Sequence, residues 1–290
     1  MAEITEGIAM RNRHDDPVDR SEAVILVRGA GELASGVGWV LTKAGFRVLM
    51  TETAHPLMVR WPVCFGSAVL EGSWKVEDVV ARRIEAPAMS DQVWEAGEIP
   101  VLVDPELVYL AKIKPSVLVD GIMAKRNLGT QREMAPLTFG LGPGFTAGED
   151  VDAVVETNRG HHLARVYYTG VAEPNTGTPG VIGGKTWERV VYAPATGIFH
   201  ASRSIGELVG TGDVLGVIDS AAGQTNVVAP LDGVLRGLLR TGTPIAEKVK
   251  TGDVDPRADK EYCWTISEKA RAIGAAVLMA IMESRVIKGK

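Results

Sequence analysis

Cysteine is nearly absent: Cys64 and Cys263 are the only two in 290 residues. Neither sits in a C-x-x-C pair, so no disulfide framework and no cysteine-rich zinc site follow, and two reduced thiols in a cytoplasmic protein are expected. An excess of basic charge is also lacking. Thirty-one Lys and Arg stand against 36 Asp and Glu, a formal charge of −5, which removes the electrostatic case for nucleic acid as a partner. No apolar run is long enough to span a bilayer; the most apolar late stretch, Ile273–Met282, is short, flanked by charges and reads as a buried helix. Residues 1–22 have no apolar core of the signal-peptide kind and read as a mobile extension.

What is present describes a globular chain. It is 46% hydrophobic and 23% charged, enough for one large or two modest domains. Ala23–Val27 is an apolar run of strand length, followed by Gly29, Gly31 and Gly36. A helical stripe of Leu33, Val37, Val40, Leu41 and Ala44 comes next, with Gly45 at the C-cap. Phe46–Met50 reads as a second strand, so the opening is a βαβ unit. Val76–Ile84 fits a strand or a helix, and Ser90–Glu98 a short helix. Ile99–Val103, Ser116–Val119, Leu137–Leu141 and Ala153–Glu156 continue the strand series. Residues 160–185 are rich in Gly, Pro and Thr and mark a boundary.

The last third changes character. Ala193, Pro194 and Gly197 recur as Ala229, Pro230 and Gly233, 36 residues later (229 − 193), with Gly-Asp turns between short alternating strands. A two-fold repeat of this spacing resembles the barrel-sandwich hybrid of biotinyl and lipoyl carriers. The hairpin between the halves, Ser220–Asn226, has no lysine, which argues against swinging-arm chemistry. Ser267–Ser284 reads as a closing helix capped by Thr265 or Ser267, with Ala270, Ile273, Val277, Leu278 and Ile281 on one stripe. The expected fold is therefore α/β: residues 1–22 an extension, 23–185 a Rossmann-like parallel-sheet domain, 186–290 a β-rich barrel-sandwich-like unit with the closing helix.

The main local signal is Gly29, Gly31 and Ala34, which match G-x-G-x-x-G/A between a strand and a helix. The first glycine permits a tight turn, the second lets a phosphate reach the backbone, and the small third residue lets helix and strand pack closely. The helix N-terminus offers free N–H groups to a pyrophosphate. Glu52 closes the second strand, where a carboxylate binds ribose hydroxyls. Glu32 is out of place beside a phosphate unless it serves the helix end. The alternative is a structural turn without a ligand.

Gly140, Gly142 and Gly144 lie in a run that forms either an anion-binding nest or a loop needing several positive φ values. Lys125 and Arg126, after the strand ending at Asp120, form a phosphate or carboxylate clamp or a solvated turn. Possible substrate contacts are His55, Asp120, Asn127, Glu156, Asn158 and His161. Adjacent His161 and His162 on a strand would face opposite ways, so no metal site is assigned. No Ser-His-Asp set, Walker A loop or H-E-x-x-H stands out, and no catalytic residue is assigned.

Taken together, the segments Val27–Gly36, Ala44–Glu52, Ala124–Thr130, Gly140–Gly148 (GLGPGFTAG), Val155–His161 (VETNRGH), Glu173–Gly177 and Leu235–Arg240 resemble the accessory proteins of the selenium-dependent molybdenum hydroxylase system, over about residues 23–283. At the level of fold, the Rossmann half is also reminiscent of xanthine dehydrogenase accessory proteins, which handle the molybdenum cofactor. The resemblance implies a maturation factor that docks on a molybdenum hydroxylase apoenzyme and holds a nucleotide-bearing cofactor such as a molybdopterin dinucleotide. The rival readings are an NAD(P)-dependent oxidoreductase, in which Glu52 selects NAD over NADP, and a non-catalytic interaction module. Neither a membrane nor nucleic acid is an expected partner; a homo-oligomer stays open.

Overall fold

The computed structural model describes residues 18–284, 286 and 287. Residues 1–17 of the expected extension lie outside the described residues. Its last part is tied down: Val18 donates its N–H to the carbonyl of Val286 at 3.0 Å.

The first half builds one nine-stranded sheet. Its strands are β1 (Val24–Arg28), β2 (Arg47–Glu52), β3 (Ser73–Val76), β4 (Val79–Ile84), β5 (Ile99–Val103), β6 (Val117–Asp120), β7 (Leu137–Leu141), β9 (Ala153–Val155) and β10 (Val166–Tyr167). A separate ribbon pairs β8 (Thr146–Ala147) with β11 (Gly170–Val171). The sheet order is β10-β9-β7-β6-β1-β2-β5-β4-β3. From β9 through β4 every pair is parallel, and only the edge strands β10 and β3 run antiparallel. The segment Val76–Ile84 thus contributes one arm and the turn of an edge hairpin. The central strands read VILVR, RVLMTE and VLVD because both faces are covered and no polar alternation is needed. The chain leaves β1 toward β2 on one side and returns to β6 on the other, so ligand-binding space is expected at their carboxyl ends.

Helix α1 (Glu32–Lys43) follows the glycine turn, and Gly45 at φ +85° ends it, with Phe46 N–H bonding to the Leu41 carbonyl. The short α2 (Ala68–Glu71) leads into the edge hairpin. The short α3 (Ser90–Glu95) and α4 (Leu110–Ile113) cover the face bearing Leu26, Leu49, Leu102 and Leu118. No α-helix follows β6 or β7; the connections back into the sheet, the first with a single 3-10 turn at Arg132–Met134, leave the other face over β6, β7 and β9 open.

The closing helix α5 (Glu268–Glu283) fills that space. Ile273, Val277 and Ile281 are wholly buried in the same core as Val37, Phe139 and Val155. The helix that the sequence groups with residues 186–290 therefore packs on the parallel sheet. Its contact with α1 is close enough to need glycine. A Cβ at Gly36 would lie 2.8 Å from the Ala270 carbonyl oxygen, and one at Gly274 would lie 2.8 Å from that of Gly36. Ser267 is the cap, accepting from the Ala270 N–H at 3.3 Å.

Between them, residues 190–255 form two antiparallel four-stranded sheets. The strands are β12 (Val190–Tyr192), β13 (Gly197–Ala201), β14 (Leu208–Val209), β15 (Val214–Ser220), β16 (Gly223–Val228), β17 (Gly233–Leu238), β18 (Thr243–Ile245) and β19 (Lys250–Asp255). The orders β12-β19-β17-β14 and β16-β15-β13-β18 exchange when each strand is replaced by its repeat mate four places on. Each 36-residue repeat thus gives two strands to each sheet. The repeated glycine explains the motif: a side chain at Gly197 would strike the Asp219 carbonyl, and one at Gly233 the Asp255 carbonyl. Phe199, Leu215, Ile218, Leu235 and Val254 fill the core between the sheets. Among the described residues, no helix is long and apolar enough to cross a membrane.

Candidate functional site at the opening glycine turn

The three small residues of the turn have three different surroundings. Gly29 sits at φ +92°, where a Cβ would lie 3.1 Å from the Ile122 backbone nitrogen. Gly31 is the N-cap of α1 with φ −73°, has no side-chain cap, and a Cβ built there meets nothing within 4 Å. Ala34 is buried beneath the loop after β6: a Cβ at Gly121 would lie 2.9 Å from its methyl carbon. The turn is thus tight at the first position, open at the second and packed at the third. The first N–H groups of α1 have no intrahelical acceptor and face a partial positive end of the helix.

Glu52 braces this turn from the end of β2. Its Oε2 accepts the Ala30 N–H at 2.9 Å and its Oε1 accepts the Thr53 N–H at 2.7 Å. The carboxylate stays partly exposed beside the mouth. Glu32, at the first position of α1, pairs instead with the buried Arg60 and accepts from the Ser267 hydroxyl at 3.1 Å. Burial alone would raise its pKa, but Arg60, with Arg236, Lys250 and the Ser267 hydroxyl, holds it below the usual carboxylate range. Its charge is therefore matched by Arg60.

The loop after β6 is held by a buried trio in which Asp120 is joined by Arg28 and Thr130, two residues that the sequence did not single out. Arg28 donates to the Thr130 hydroxyl at 2.9 Å and to the Pro105 carbonyl at 3.0 Å. The Thr130 hydroxyl donates to Asp120 Oδ2 at 2.6 Å, and Asp120 Oδ1 accepts the Ile122 N–H at 3.1 Å. Asp120, 2% exposed, thus has both oxygens engaged within the protein. Asn127 accepts the N–H groups of Gly129 and Thr130, at 2.9 and 2.8 Å, so it shapes the loop. A charged residue ending an apolar strand beside an aspartate on its neighbour was the signal available for Arg28.

Lys125 and Arg126 are exposed on this loop. Met123 and Lys125 adopt left-handed backbone at φ +64° and +62°, a conformation that collects at functional sites. The loop rests against the glycine run after β7: a Cβ at Gly144 would lie 2.6 Å from the Arg126 nitrogen. Gly140 lies under the Phe145 ring, and Gly142 lies against the Thr157 side chain. These glycines make room for protein atoms, so their close contacts are intramolecular.

The expected contacts past β9 are likewise held internally. Glu156 is fully buried; its oxygens accept the N–H groups of Asn158 at 2.6 Å and Glu173 at 2.7 Å. Asn158 donates to Glu173 at 2.6 Å. His161 and His162 lie in a turn, where strand alternation does not apply, with rings edge-on at 5.0 Å. His161 and His55 are exposed. The structure therefore brings Gly29, Gly31, Ala34 and Glu52 together at one mouth, sets Lys125 and Arg126 on the β6 loop, and leaves Asp120, Asn127 and Glu156 as bracing groups.

These features define an α/β protein with a mostly parallel nine-stranded sheet, two antiparallel sheets and a C-terminal helix. No family model matches the chain. It is a homologue of the uncharacterized protein YqeB of Escherichia coli strain K12, with 46% identity over 276 residues, 95% of this chain and 50% of that protein. The chain spans about half the length of that relative. Among solved structures, a succinylglutamate desuccinylase/aspartoacylase from Rhodobacter sphaeroides has a TM-score of 0.26 at 14% identity, covering 81% of this chain and 86% of that one. An aspartoacylase family protein from Mesorhizobium loti has a TM-score of 0.27 at 11% identity, covering 84% and 86%. Likenesses at these scores carry no argument about fold or chemistry.

Proposed function

We propose that the glycine turn binds the phosphates of a nucleotide-bearing ligand, and that the chain serves as an accessory factor in maturing a molybdenum hydroxylase. In this reading the sheet is a Rossmann variant: β5-β2-β1-β6-β7-β9 runs in the 3-2-1-4-5-6 order, with α5 in place of the missing crossover helices. The repeat of residues 190–255 is a barrel-sandwich-like unit without a carrier lysine. The observation that carries the proposal is the empty space before Gly31 at the uncapped start of α1. Glu52 stands beside it for ribose hydroxyls, and Lys125 and Arg126 supply cations from the β6 loop.

A molybdopterin dinucleotide, a polyanion ending in a nucleotide, suits that combination. A binding and handing-on role is preferred to catalysis because Asp120, Asn127 and Glu156 are occupied within the protein. Glu52 favours the rival NAD reading on one point, since it would repel a 2′-phosphate, and the same experiment separates the two.

Thermal unfolding with NAD, NADP, CTP, GTP and molybdopterin dinucleotides is the test. A ligand at about 100 times its Kd adds about 2.7 kcal/mol, a shift of several degrees. The expected hit is a molybdopterin dinucleotide; a response to NAD alone, with NADH turnover on small carbonyls, would favour the oxidoreductase. Gly31→Val closes the mouth with ordinary backbone angles. It is expected to abolish the shift while costing about 1 kcal/mol or less of stability. Unchanged binding in that variant would remove the site. Co-purification of a molybdenum hydroxylase apoenzyme tests the partner.

A further inference from the structure

Where the sheet meets the β-rich half, four cations from four separate segments gather beside the start of α1. Arg159 follows β9, Arg189 precedes β12, Lys250 opens β19 and Lys269 lies in the first turn of α5. Contacts link Arg159, Arg189 and Lys250, and Lys269 follows Glu268, the ion-pair partner of Arg159. A Cβ at Gly180 would lie 2.5 Å from Arg159 Cδ, and Arg189 donates to the Gly180 carbonyl at 3.1 Å. Arg189 pairs with Asp253, and Lys250 stands 3.8 Å from the same carboxylate. Arg159 pairs with Glu268. Ser267, the cap of α5, touches Glu32, so the starts of both helices converge here.

The acids at this junction do not match the cations. Asp253 also serves Arg236, and Glu32 is engaged by Arg60. Lys269 has no hydrogen bond or ion pair among the described residues, and it sits in the first turn of α5, where the dipole disfavours a cation. Arg189 is 5% exposed and its Nε has no partner among the described residues. Desolvation pushes the pKa values of Lys250 and Lys269 down and outweighs the acids around them, Asp253 and Glu32 at Lys250 and Glu32, Glu156 and Glu268 at Lys269, while Arg189 and Arg236 add to the effect at Lys250 and Arg159 at Lys269. Cations that share their acids with other partners and still reach solvent are suited to an anion supplied from outside; 42% of the Lys250 side chain is exposed.

The geometry points to a second anionic subsite at this junction, in which Lys250 and Lys269, backed by Arg159 and Arg189, hold a negative group of the same ligand whose phosphates lie on the glycine turn. This rests on the phosphate-binding reading of that turn. It defines the ligand class as one anionic at two separated points, which an oxidised nicotinamide dinucleotide, with a cationic far ring, does not satisfy.

Inorganic pyrophosphate, titrated calorimetrically into the full chain at low ionic strength, tests it. Two sites per chain are expected. Gly31→Val removes one, and the double change Lys250→Gln with Lys269→Gln weakens the other about tenfold or more. Lys269→Arg keeps it, because the charge is retained. The lysine double variant is expected to unfold in the same single transition as the parent, the relief of two desolvated cations offsetting the attraction of Lys250 to Asp253 and Glu32 that is lost with it. A single site lost in Gly31→Val and indifferent to the lysines overturns the second subsite and leaves the glycine turn standing. A single site lost only with the lysines overturns the glycine-turn reading and the two-point ligand with it, and no binding overturns both. Loss of the cooperative unfolding transition in the double variant makes the lysines structural and overturns their role as ligands.

Discussion

At the scale of single residues, the site divides into groups that brace and groups that are free to bind. Arg28, Asp120 and Thr130 are all nearly inaccessible and hydrogen-bond in a chain, Arg28 to Thr130 and Thr130 to Asp120. Arg28→Met would leave the Asp120 carboxylate buried without its cation, which costs about 3–5 kcal/mol in denaturant unfolding. Lys125→Ala and Arg126→Ala are solvent-facing changes; they should stay within about 0.5 kcal/mol of the parent in stability while weakening phosphate binding. The thiols are expected to be inert. Burial, then the nearby Glu32 charge, pushes the Cys64 thiol well above its ordinary 9.0, and burial raises Cys263 as well. Native protein at pH 8 should not react with Ellman's reagent, and denatured protein should release two equivalents. The motif residues were legible in the sequence because Gly29, Gly31 and Ala34 act through local backbone geometry. The buried trio was not, because Arg28 and Thr130 are far apart in the chain and meet only when β1 and β6 pair.

At the scale of elements, α5 carries the most consequence. Its stripe was visible from the spacing of Ala270, Ile273, Val277 and Ile281, but a stripe does not name the surface it covers. The surface is the sheet face left bare where β6 and β7 are joined to the next strands without an α-helix. Ile273→Ala should cost about 2–5 kcal/mol in equilibrium unfolding, as for a wholly buried aliphatic side chain. The repeat in the β-rich half was more completely legible. Its glycines recur because Gly197 and Gly233 each pass under the carbonyl of an aspartate, Asp219 and Asp255, that is itself repeated. The sequence of Val76–Ile84 fits a strand or a helix because the segment belongs to a hairpin at a sheet edge, where the apolar signal is weakened by exposed residues such as Arg82 and Arg83.

At the scale of the whole molecule, the two halves are joined along a polar seam. Leu238 donates its N–H to the Val59 carbonyl at 2.9 Å, the Trp61 indole donates to the Leu238 carbonyl at 3.1 Å, and Arg240 stacks 4.2 Å over Trp61. Arg60 ties Glu32 to the carbonyls of Tyr262 and Thr265. One cooperative calorimetric transition is expected for the parent, and two for Arg60→Ala, which unlinks the halves and leaves Glu32 unpaired. The seam also sets the acid limit. The pKa values of Glu32 and Asp253 are held below their ordinary 4.5 and 3.8 in the folded chain despite the opposing effect of burial. Their contribution to stability is therefore present above those ordinary values. It is lost as pH falls through the lower folded ones. Denaturant midpoints should be flat from pH 7 to about 5 and fall below about 4.5.

The sequence by itself determined the central strands, the opening turn and the two-fold repeat, since each depends on an apolar run, a glycine's freedom or a recurring local motif within a few tens of residues. Tertiary structure alone decided which carboxylates are occupied, where α5 lies, and that cations from four distant segments crowd one junction. Those outcomes depend on burial and on charges brought together across the chain, quantities that no stretch of sequence contains until the sheet has closed.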